Sequence, residues 1–533
     1  MNKKYLPVIL FSGLVFVILL AACIPFEGSI EEVRAKAGEG KAVTYTVNYN
    51  ANGGKEDPPN PETVPAGYLI TLLPENTFTQ DDHTFTGWNT RADGTGTSCA
   101  AGDEYQVNEN VTFYAQWILN MSGTVAIILA PGHGAWIRAI LMADTSNLNI
   151  TGPFEYQWKR GGSDIPGATE LIYVVSDQNQ EQSLTVEVRQ TGTGKTVSSG
   201  EFVVPNRIGI YNQMQLENIG MERNYILADD ISIVGHWSPI YASGIYFKGT
   251  FDGNGKTIDL GYQSYTGGSV GLFTSIGSGG EVKNLRLTGS INIDNNDEFS
   301  AGALAAQNQG GYIHNISSKV DITLNENSTS NNLQIGGIVG VLGSGTIQNC
   351  YSTGWMQSKT PNASSVFVGG IAGSQLEGTI KNCWASGLIW TEGTIYAMAG
   401  GIVGSQIKSP LFSGGSTIYC VALNISIYSN RSTDAGRITG NADGALERNY
   451  ASDNMQVSNE MVDSDDDSSK DGADASIPAI ATTPGGGWWT DTAGWTNTGV
   501  GAVWGGTGED IPWKWEFILG RPILWFENGV NQQ

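Results

Sequence analysis

The sequence predicts a mainly β, multidomain protein whose largest part is a parallel, right-handed β-helix. A block of small and aliphatic residues recurs six times between Gly271 and Ser452, each time followed by a second aliphatic block. Glycine fills five of the ten positions from 336 to 345, and each would cost a helix about 1 kcal/mol. A helical array is therefore excluded, and short strands with tight corners are favoured. The fourth residues of the first block are 31, 35, 33, 31 and 36 positions apart, a period typical of stacked repeats: Thr274, Ala305, Gly340, Gly373, Gly404 and Gly440.

Two columns of residues follow from stacking these repeats. Asparagine occupies one offset of the second block in four repeats, where it suits a left-handed corner and can form a ladder of amides: Asn284, Asn315, Asn349 and Asn382. Cys350, Cys383 and Cys420 share the next offset, which predicts a file of buried apolar residues. A zinc site is the alternative, but a straight file is not tetrahedral and no His joins it. We therefore expect neither a metal nor a cofactor.

The repeated blocks, such as GIVG at Gly337 and GIAG at Gly370, resemble the GLUG motif of bacterial surface and secreted proteins. The resemblance extends over about Ile208 to Trp525 and implies a GLUG-repeat β-helix with an N-terminal cap at 206–460. Two departures suggest local irregularity: Arg437 replaces a Gly in the last repeat, and the fifth repeat carries an insertion at Ile407 to Ser416.

The N-terminal residues are predicted to form an export signal. Lys3 and Lys4 precede an apolar run, and Leu20-Ala21-Ala22-Cys23 then resembles the bacterial lipobox. The resemblance implies a signal peptide at 1–22, lipidation of Cys23 and attachment to the membrane through that lipid. An ordinary signal peptide or an uncleaved anchor is the alternative. Ile24 after the cysteine favours the outer membrane, and residues 23–42 read as a flexible tether.

Residues 43–118 form a second predicted unit. VTYTVNYNANGG alternates apolar and polar residues and stops at a turn, and the later FTGW and VTFYAQW segments alternate likewise. Their order resembles the internalin-type, or Listeria-Bacteroides, β-grasp repeat, which implies a stalk or interaction module. Trp88 and Trp117 are expected in its core, with sugar-stacking platforms as the alternative.

Residues 121–205 form a third unit. Five strand runs separated by turns predict a β-sandwich, and FEYQWKRGGSDIPGAT resembles bacterial immunoglobulin-like modules, with Trp158 as the buried anchor. The predicted strands are Thr124 to Leu129, Ala135 to Met142, Phe154 to Lys159, Leu171 to Val175 and Ser183 to Arg189.

Both ends of the β-helix are expected to be capped, because an open end exposes unpaired backbone. A short helix within Ile208 to Gly220, with Met214, Leu216 and Ile219 as its apolar face, is predicted to cover the first coil. Residues 461–484 form a predicted acidic linker, whose stretch 463–474 could alternatively bind Ca²⁺, although it lacks the Gly and Glu of an EF-hand loop. Residues 485–533 hold seven of the fifteen Trp and are predicted to close the far end, with a carbohydrate-binding face as the alternative.

The charge and the acid and base residues limit the function. A formal charge of -24 excludes a nucleic-acid partner. The stretch Asn331 to Cys420 contains no Asp, Arg or His, so no catalytic residue is predicted there. The sequence favours a non-catalytic cell-surface lipoprotein that binds a glycan, host or matrix protein outside the cell, as an adhesin does. The alternatives are a polysaccharide lyase or hydrolase that uses the first coils, with Asp252 in a turn sequence there, and a cell-envelope scaffold.

Overall fold

The computed structural model describes residues 42–240, 244–294, 298–325, 332–476, 489, 513–516, 521–524 and 526–527. The predicted signal peptide, Cys23 and the tether up to residue 41 lie outside these residues. The described chain is almost entirely β, as predicted, and forms three successive regions.

The first region is built on a five-stranded sheet. Its central strand, Val111–Leu119, pairs in parallel with Thr44–Asn50, and the other pairings of the sheet are antiparallel. Trp88 is buried, with Nε1 donating to the carbonyl of Leu73 at 2.9 Å, and Trp117 packs at the edge of the same core. Both tryptophans thus serve the core as predicted. The strands of this region are Thr44–Asn50, Glu62–Pro65, Tyr68–Thr71, His83–Asn89, Ser98–Cys99, Glu104–Val107 and Val111–Leu119.

The second region consists of two antiparallel sheets around Trp158, which is fully buried as predicted. The strand predicted from Ala135 begins instead at Ile140, because Ile137 leaves this region and forms a parallel bridge with Ile208 of the next. The strands are Gly123–Leu129, Ile140–Leu148 and Ile172–Val174 in one sheet and Phe154–Arg160, Ser163–Asp164, Ser183–Gln190, Thr196–Ser198 and Phe202–Val203 in the other, with a 3-10 turn at Asp177–Asn179.

The third region is the predicted parallel β-solenoid. Equivalent residues stack in register from coil to coil, as Ile313, Ile347 and Ile380 do. A five-stranded sheet forms what we call the first wall: Phe299–Gly302, Leu333–Gly336, Ser365–Gly369, Tyr396–Gly400 and Ala435–Gly436. The first repeated block then forms a corner, and the strands that follow it make what we call the second wall. These strands are Phe273–Gly277, Ala372–Gln375, Val403–Gln406 and the first residues of two longer strands, Ala305–Leu324 and Val339–Gln348.

The second wall belongs to a sheet of 24 strands, and the rest of each coil contributes the other strands of that sheet. They are Ile208–Ile210, Tyr225–Leu227, Ile231–Ser232, Thr250–Asp252, Thr257–Tyr265, Glu281–Ile293, Tyr351–Ser352, Met356–Ser358, Thr379–Lys381, Trp384–Ala385, Ile389–Thr391, Ser416–Ile418, Val421–Ala422, Ser426–Ser429, Ala445–Glu447, Tyr450–Ser452, Gln456–Val457, Glu460–Met461 and Ala473–Ala475. The insertion of the fifth repeat forms a separate hairpin, Lys408–Ser409 with Phe412–Ser413, and Ser432–Asp434 is a 3-10 turn.

The asparagine corner and the cysteine file are both present. Asn284, Asn315, Asn349 and Asn382 have φ between 51° and 54°, the left-handed conformation expected at this corner. Asn315 donates to Asn284 at 3.0 Å and Asn382 to Asn349 at 3.3 Å. The ladder is interrupted in between, because Oδ1 of Asn315 has no partner. The three cysteines are buried free thiols on successive coils, so the core interpretation is confirmed.

The N-terminal end of the solenoid is covered from two sides. The helix Gln213–Glu217 is present, with Leu216 and Ile219 buried, but the prediction for Met214 is wrong because this side chain is 73% exposed. Residues two positions apart on a helix do not share a face, so Met214 and Leu216 point in different directions. The second region supplies the remaining cover through Ile137, whose amide and carbonyl bond to Arg207 and Gly209.

The C-terminal end departs from the prediction. The strand Ala473–Ala475, within the predicted acidic linker, pairs in parallel with Tyr450–Ser452 and so continues the solenoid.

Most of the predicted cap, residues 485–533, lies outside the described residues. Its described part forms a hairpin of Trp513–Glu516 and Arg521–Leu524 and packs on a flank of the solenoid. Trp489, Trp513 and Leu524 cover an outward column of Tyr351, Trp384 and Val421, because these apolar side chains would otherwise face solvent.

Candidate functional site

Asp252, which the enzyme alternative named in the first coils, and Asp259 of the following strand both accept hydrogen bonds from backbone amides of turns. Asp252 accepts from the amide of Asn254 at 2.8 Å and from Nδ2 of Asn284 at 3.1 Å. Asp259 accepts from the amide of Gly261 at 3.0 Å. These bonds agree with the interpretation of Asp252 as a turn residue.

A charged cluster that the sequence analysis missed lies beside Asp252. Glu281 accepts from Nε2 of His314 at 3.0 Å and lies 3.6 Å from Nζ of Lys283, and Thr250 donates to its other oxygen at 3.3 Å. The hydrogen bond from His314 is the main cause that lowers the pKa of Glu281 to about 2, aided by the positive charge of Lys283. Glu281 is therefore ionised at neutral pH and acts as an acceptor.

The alignment of the repeats indicates this cluster. Asp252, Lys283 and His314 are directly stacked partners on three successive coils. Lys283 and His314 occupy the variable position of the second block, just before the corner asparagine. An alignment of the repeated blocks at this position predicts that the Lys283 and His314 side chains lie close together.

A concave groove lies between the outward faces of the first and second walls. Its volume is about 470 Å³, and it crosses successive coils, because its lining comes from several neighbouring coils. Ser300 and Gln334 line it from the first wall, and Gln307, Val341 and Ser374 line it from the second. The complete lining is Ser269, Glu298, Phe299, Ser300, Gln307, Gln309, Asn332, Gln334, Val341, Ser374, Leu376 and Ile407.

The groove is polar but nearly uncharged, since Glu298 is its one ionisable residue among the described ones. Ser300 donates to Oε1 of Gln334 at 2.9 Å, and Gln309 donates to Oε1 of Gln307 at 3.1 Å. These bonds fix the carbonyl ends of both acceptor amides. The Nε2 atoms of Gln307 and Gln334 remain without a hydrogen bond within the part of the chain that the structure describes.

Ser374 is the most deeply buried polar residue of this lining. It is 1% exposed, and its Oγ makes no hydrogen bond to any described group. A buried hydroxyl without a partner costs about 1 to 3 kcal/mol, so such groups are uncommon unless something else binds them. Sequence analysis did not find the groove, because it depends on the angle between two walls.

The described ranges contain neither a candidate metal centre nor a candidate membrane-spanning helix. They contain no group of three or more His, Cys, Asp or Glu side chains arranged to hold a metal ion. Within 463–474, Asp474 instead pairs with Arg437 at 2.6 Å. No helix in these ranges has the length and apolar character needed to cross a bilayer.

Several known proteins are similar to parts of this chain. A protein of Evansella cellulosilytica named "Putative Gly-rich membrane protein" is 35% identical over 79 residues, which are 14% of this chain and 9% of that protein. Halomucin of Haloquadratum walsbyi is 26% identical over 200 residues, 34% of this chain and 2% of that protein. The chain thus spans only a small part of these relatives. A solved structure of a "putative immunoglobulin A1 protease" from Bacteroides ovatus is 20% identical, with a TM-score of 0.44 over 60% of this chain and 92% of that one.

Two family models match separate segments. Residues 45–116 match the Listeria-Bacteroides repeat domain, and residues 331–355 match the GLUG motif. The second match covers the coil that carries Gln334, Asn349 and Cys350. The chain therefore contains a Listeria-Bacteroides repeat in its first region and a GLUG motif within its β-solenoid.

Proposed function

We propose that this protein is a non-catalytic lipoprotein of the bacterial cell exterior that uses its β-solenoid to bind a ligand outside the cell, as an adhesin does. The observation that carries the proposal is the groove between the first and second walls. It offers a polar, nearly uncharged surface on a rigid array, and its described lining brings no acid and base together. Such a surface suits recognition and lacks the groups that general acid–base chemistry needs.

Attachment through Cys23 is the first part of the proposal. The lipobox-like Leu20-Ala21-Ala22-Cys23 supports it, and the acidic composition agrees with an exported protein. Metabolic labelling with a fatty-acid analogue should mark the wild-type chain and not Cys23→Ala. Protease treatment of intact cells should then release the β regions. A protein that is unlabelled, or protected until the cells are broken, contradicts this part.

Ligand binding is the second part. The purified chain without its signal peptide should bind at least one class of target among host cells, matrix proteins and glycans. Saturable binding that survives removal of residues 43–118 would assign it to the remaining regions. An absence of binding to all three classes contradicts the proposal.

A glycan-cleaving activity in the first coils is a second candidate, because Glu281, Lys283 and His314 lie together beside Asp252. Polysaccharide-active β-helices exist, and a base beside cationic groups is one arrangement they need. The measurement is release of reducing ends or unsaturated products from a panel of polysaccharides. Activity that is lost in His314→Gln would replace the binding proposal by this one.

A further inference from the structure

We propose that the groove lined by Ser300, Gln307, Gln334 and Ser374 is a binding site for an uncharged glycan chain that lies along the solenoid axis. This inference rests on the proposed binding function and adds the location of the site and the chemical class of its ligand.

The polar groups of the groove fit hydroxyl groups. Each glutamine amide carries a donor and an acceptor, and a sugar hydroxyl both donates and accepts. The acceptor oxygens of Gln307 and Gln334 already hold neighbouring side chains, which leaves their two Nε2 atoms to donate. Ser374 adds a buried hydroxyl that has no partner within the described chain. Successive hydroxyl groups of an extended ligand would satisfy these three groups.

The apolar part of the lining fits the other surface of a sugar. Val341, Leu376 and Ile407 lie among the polar residues, and the carbon-bound hydrogens of a pyranose face can pack against them. Strands of successive coils lie about 4.8 Å apart, so the groove offers a repeating series of groups along the axis. A repeating, extended ligand fits this geometry better than a compact one.

Charge excludes a polyanion. The groove contains one carboxylate, Glu298, and no described cation, and the whole chain carries a formal charge of -24. A sulfated or uronic-acid glycan would be repelled and would find no partner for its charge.

A peptide ligand is disfavoured because the backbone groups of the groove walls are already hydrogen-bonded between coils. Extended peptides usually bind by adding a strand to an open sheet edge. The groove is walled by sheet faces whose backbone groups already pair between coils, as Val341 with Ser374 and Gln334 with Phe367 do. No free row of amides and carbonyls is therefore presented to a peptide.

The test compares two variants with a matched control on the full chain without its signal peptide. Arrays of neutral and acidic glycans identify the probe, and calorimetry with the best neutral oligosaccharide gives its affinity. The double variant Gln307→Ala, Gln334→Ala should bind at least about tenfold more weakly, the effect of losing one or two hydrogen bonds. Gln357→Ala is the control, because Gln357 is an outward glutamine of the same coil as Gln334 but lies outside the groove. It should leave the affinity unchanged.

Ser374→Ala separates binding from stability. Removing a buried, unpaired hydroxyl should leave the melting temperature unchanged or raise it, whereas the affinity for the neutral glycan should fall severalfold. A lower melting temperature with unchanged affinity would mean that Ser374 is only structural and would overturn its part in the site.

Three further outcomes of the binding measurements would overturn parts of the proposal. Neutral-glycan binding that is equal in the double variant and in Gln357→Ala overturns the location. Binding only to acidic glycans or only to proteins overturns the ligand class and leaves the proposed binding function standing. Binding to none of the glycans, host cells or matrix proteins overturns both.

Discussion

Arg437 and Asp474 form an ion pair of 2.6 Å that joins the last repeat to the acidic segment after it. The Arg437 side chain is fully buried, and it also donates to the carbonyls of Ser452 and Gly472 at 3.4 and 3.0 Å. An arginine in the place of a repeat glycine thus binds the segment that adds the next strand, Ala473–Ala475, to the solenoid.

Arg437→Met should loosen this last coil. The substitution leaves Asp474 and two carbonyls without their donor, and loss of one partner of a buried pair typically costs about 3 to 5 kcal/mol. Because Asp474 is one-third exposed, we expect about 2 to 3 kcal/mol, measured as faster amide hydrogen exchange in Ala473–Ala475. Arg431→Met is the control, since its pair with Asp434 is more exposed and should contribute less than about 1 kcal/mol. Equal exchange in the two variants would show that the buried pair does not hold the coil.

The corner asparagines make separable contributions from conformation and from hydrogen bonding. Asn315→Gly keeps the left-handed corner and loses the bond to Asn284, so it should lower the free energy of unfolding by about 1 kcal/mol. Asn315→Ala should cost about 1 kcal/mol more, because alanine disfavours a φ of 54°. Urea unfolding of both variants provides the comparison, and an alanine variant at least as stable as the glycine variant would contradict the prediction.

The cluster around Glu281 should make the first coils sensitive to acid. The folded-state pKa of Glu281 is about 2, below its ordinary value of 4.5. The ionised Glu281 therefore stabilises the fold fully above about pH 4.5, and this stabilisation is lost as the pH falls towards 2. Partial exposure of Glu281 reduces its contribution to about 1 to 2 kcal/mol. The difference in unfolding free energy between wild type and Glu281→Gln should therefore shrink across this pH range. A difference that stays constant between pH 6 and pH 2 would exclude this ionisation as its source.

The C-terminal hairpin should depend on Tyr351. Its hydroxyl donates to the buried Glu527 at 2.6 Å, and Glu527 also pairs with Arg286 at 3.4 Å. Hydrogen bonds to charged groups contribute about 1.5 to 3 kcal/mol, so Tyr351→Phe should increase the rate of limited proteolysis after residue 476 at least about tenfold. Tyr428→Phe is the control, because its ring stacks on Trp390 while its hydroxyl bonds to no described residue. Equal cleavage of both variants would mean that this bond does not hold the segment.

Sequence analysis predicted what depends on the repeat itself. Like residues stack on like residues in a parallel solenoid, so the conformation of Asn315 and the burial of Cys383 followed from their offsets. The same logic, applied to the offset of Tyr351 and Trp384, would have revealed an outward apolar column that requires a cover. The identity of that cover depends on contacts with residues far along the chain and could not be derived from periodicity. The groove could not be predicted from the sequence either, because it depends on the angle between two walls, and the residue pattern of one wall does not determine that angle.

The C-terminal residues touch several coils of the solenoid. Phe526 lies against Gly255, where an added Cβ would come within 2.6 Å of it, whereas Trp489 and Trp513 belong to a cluster that includes Ala475. The described C-terminal residues therefore pack against coils at different heights along the solenoid axis. Repeat proteins usually gain or lose units freely, but an extra coil inserted here would separate the two docking points by about a further 4.8 Å and break one of them. These contacts, made by residues outside the repeats, therefore disfavour the insertion of a further coil between the two docking points.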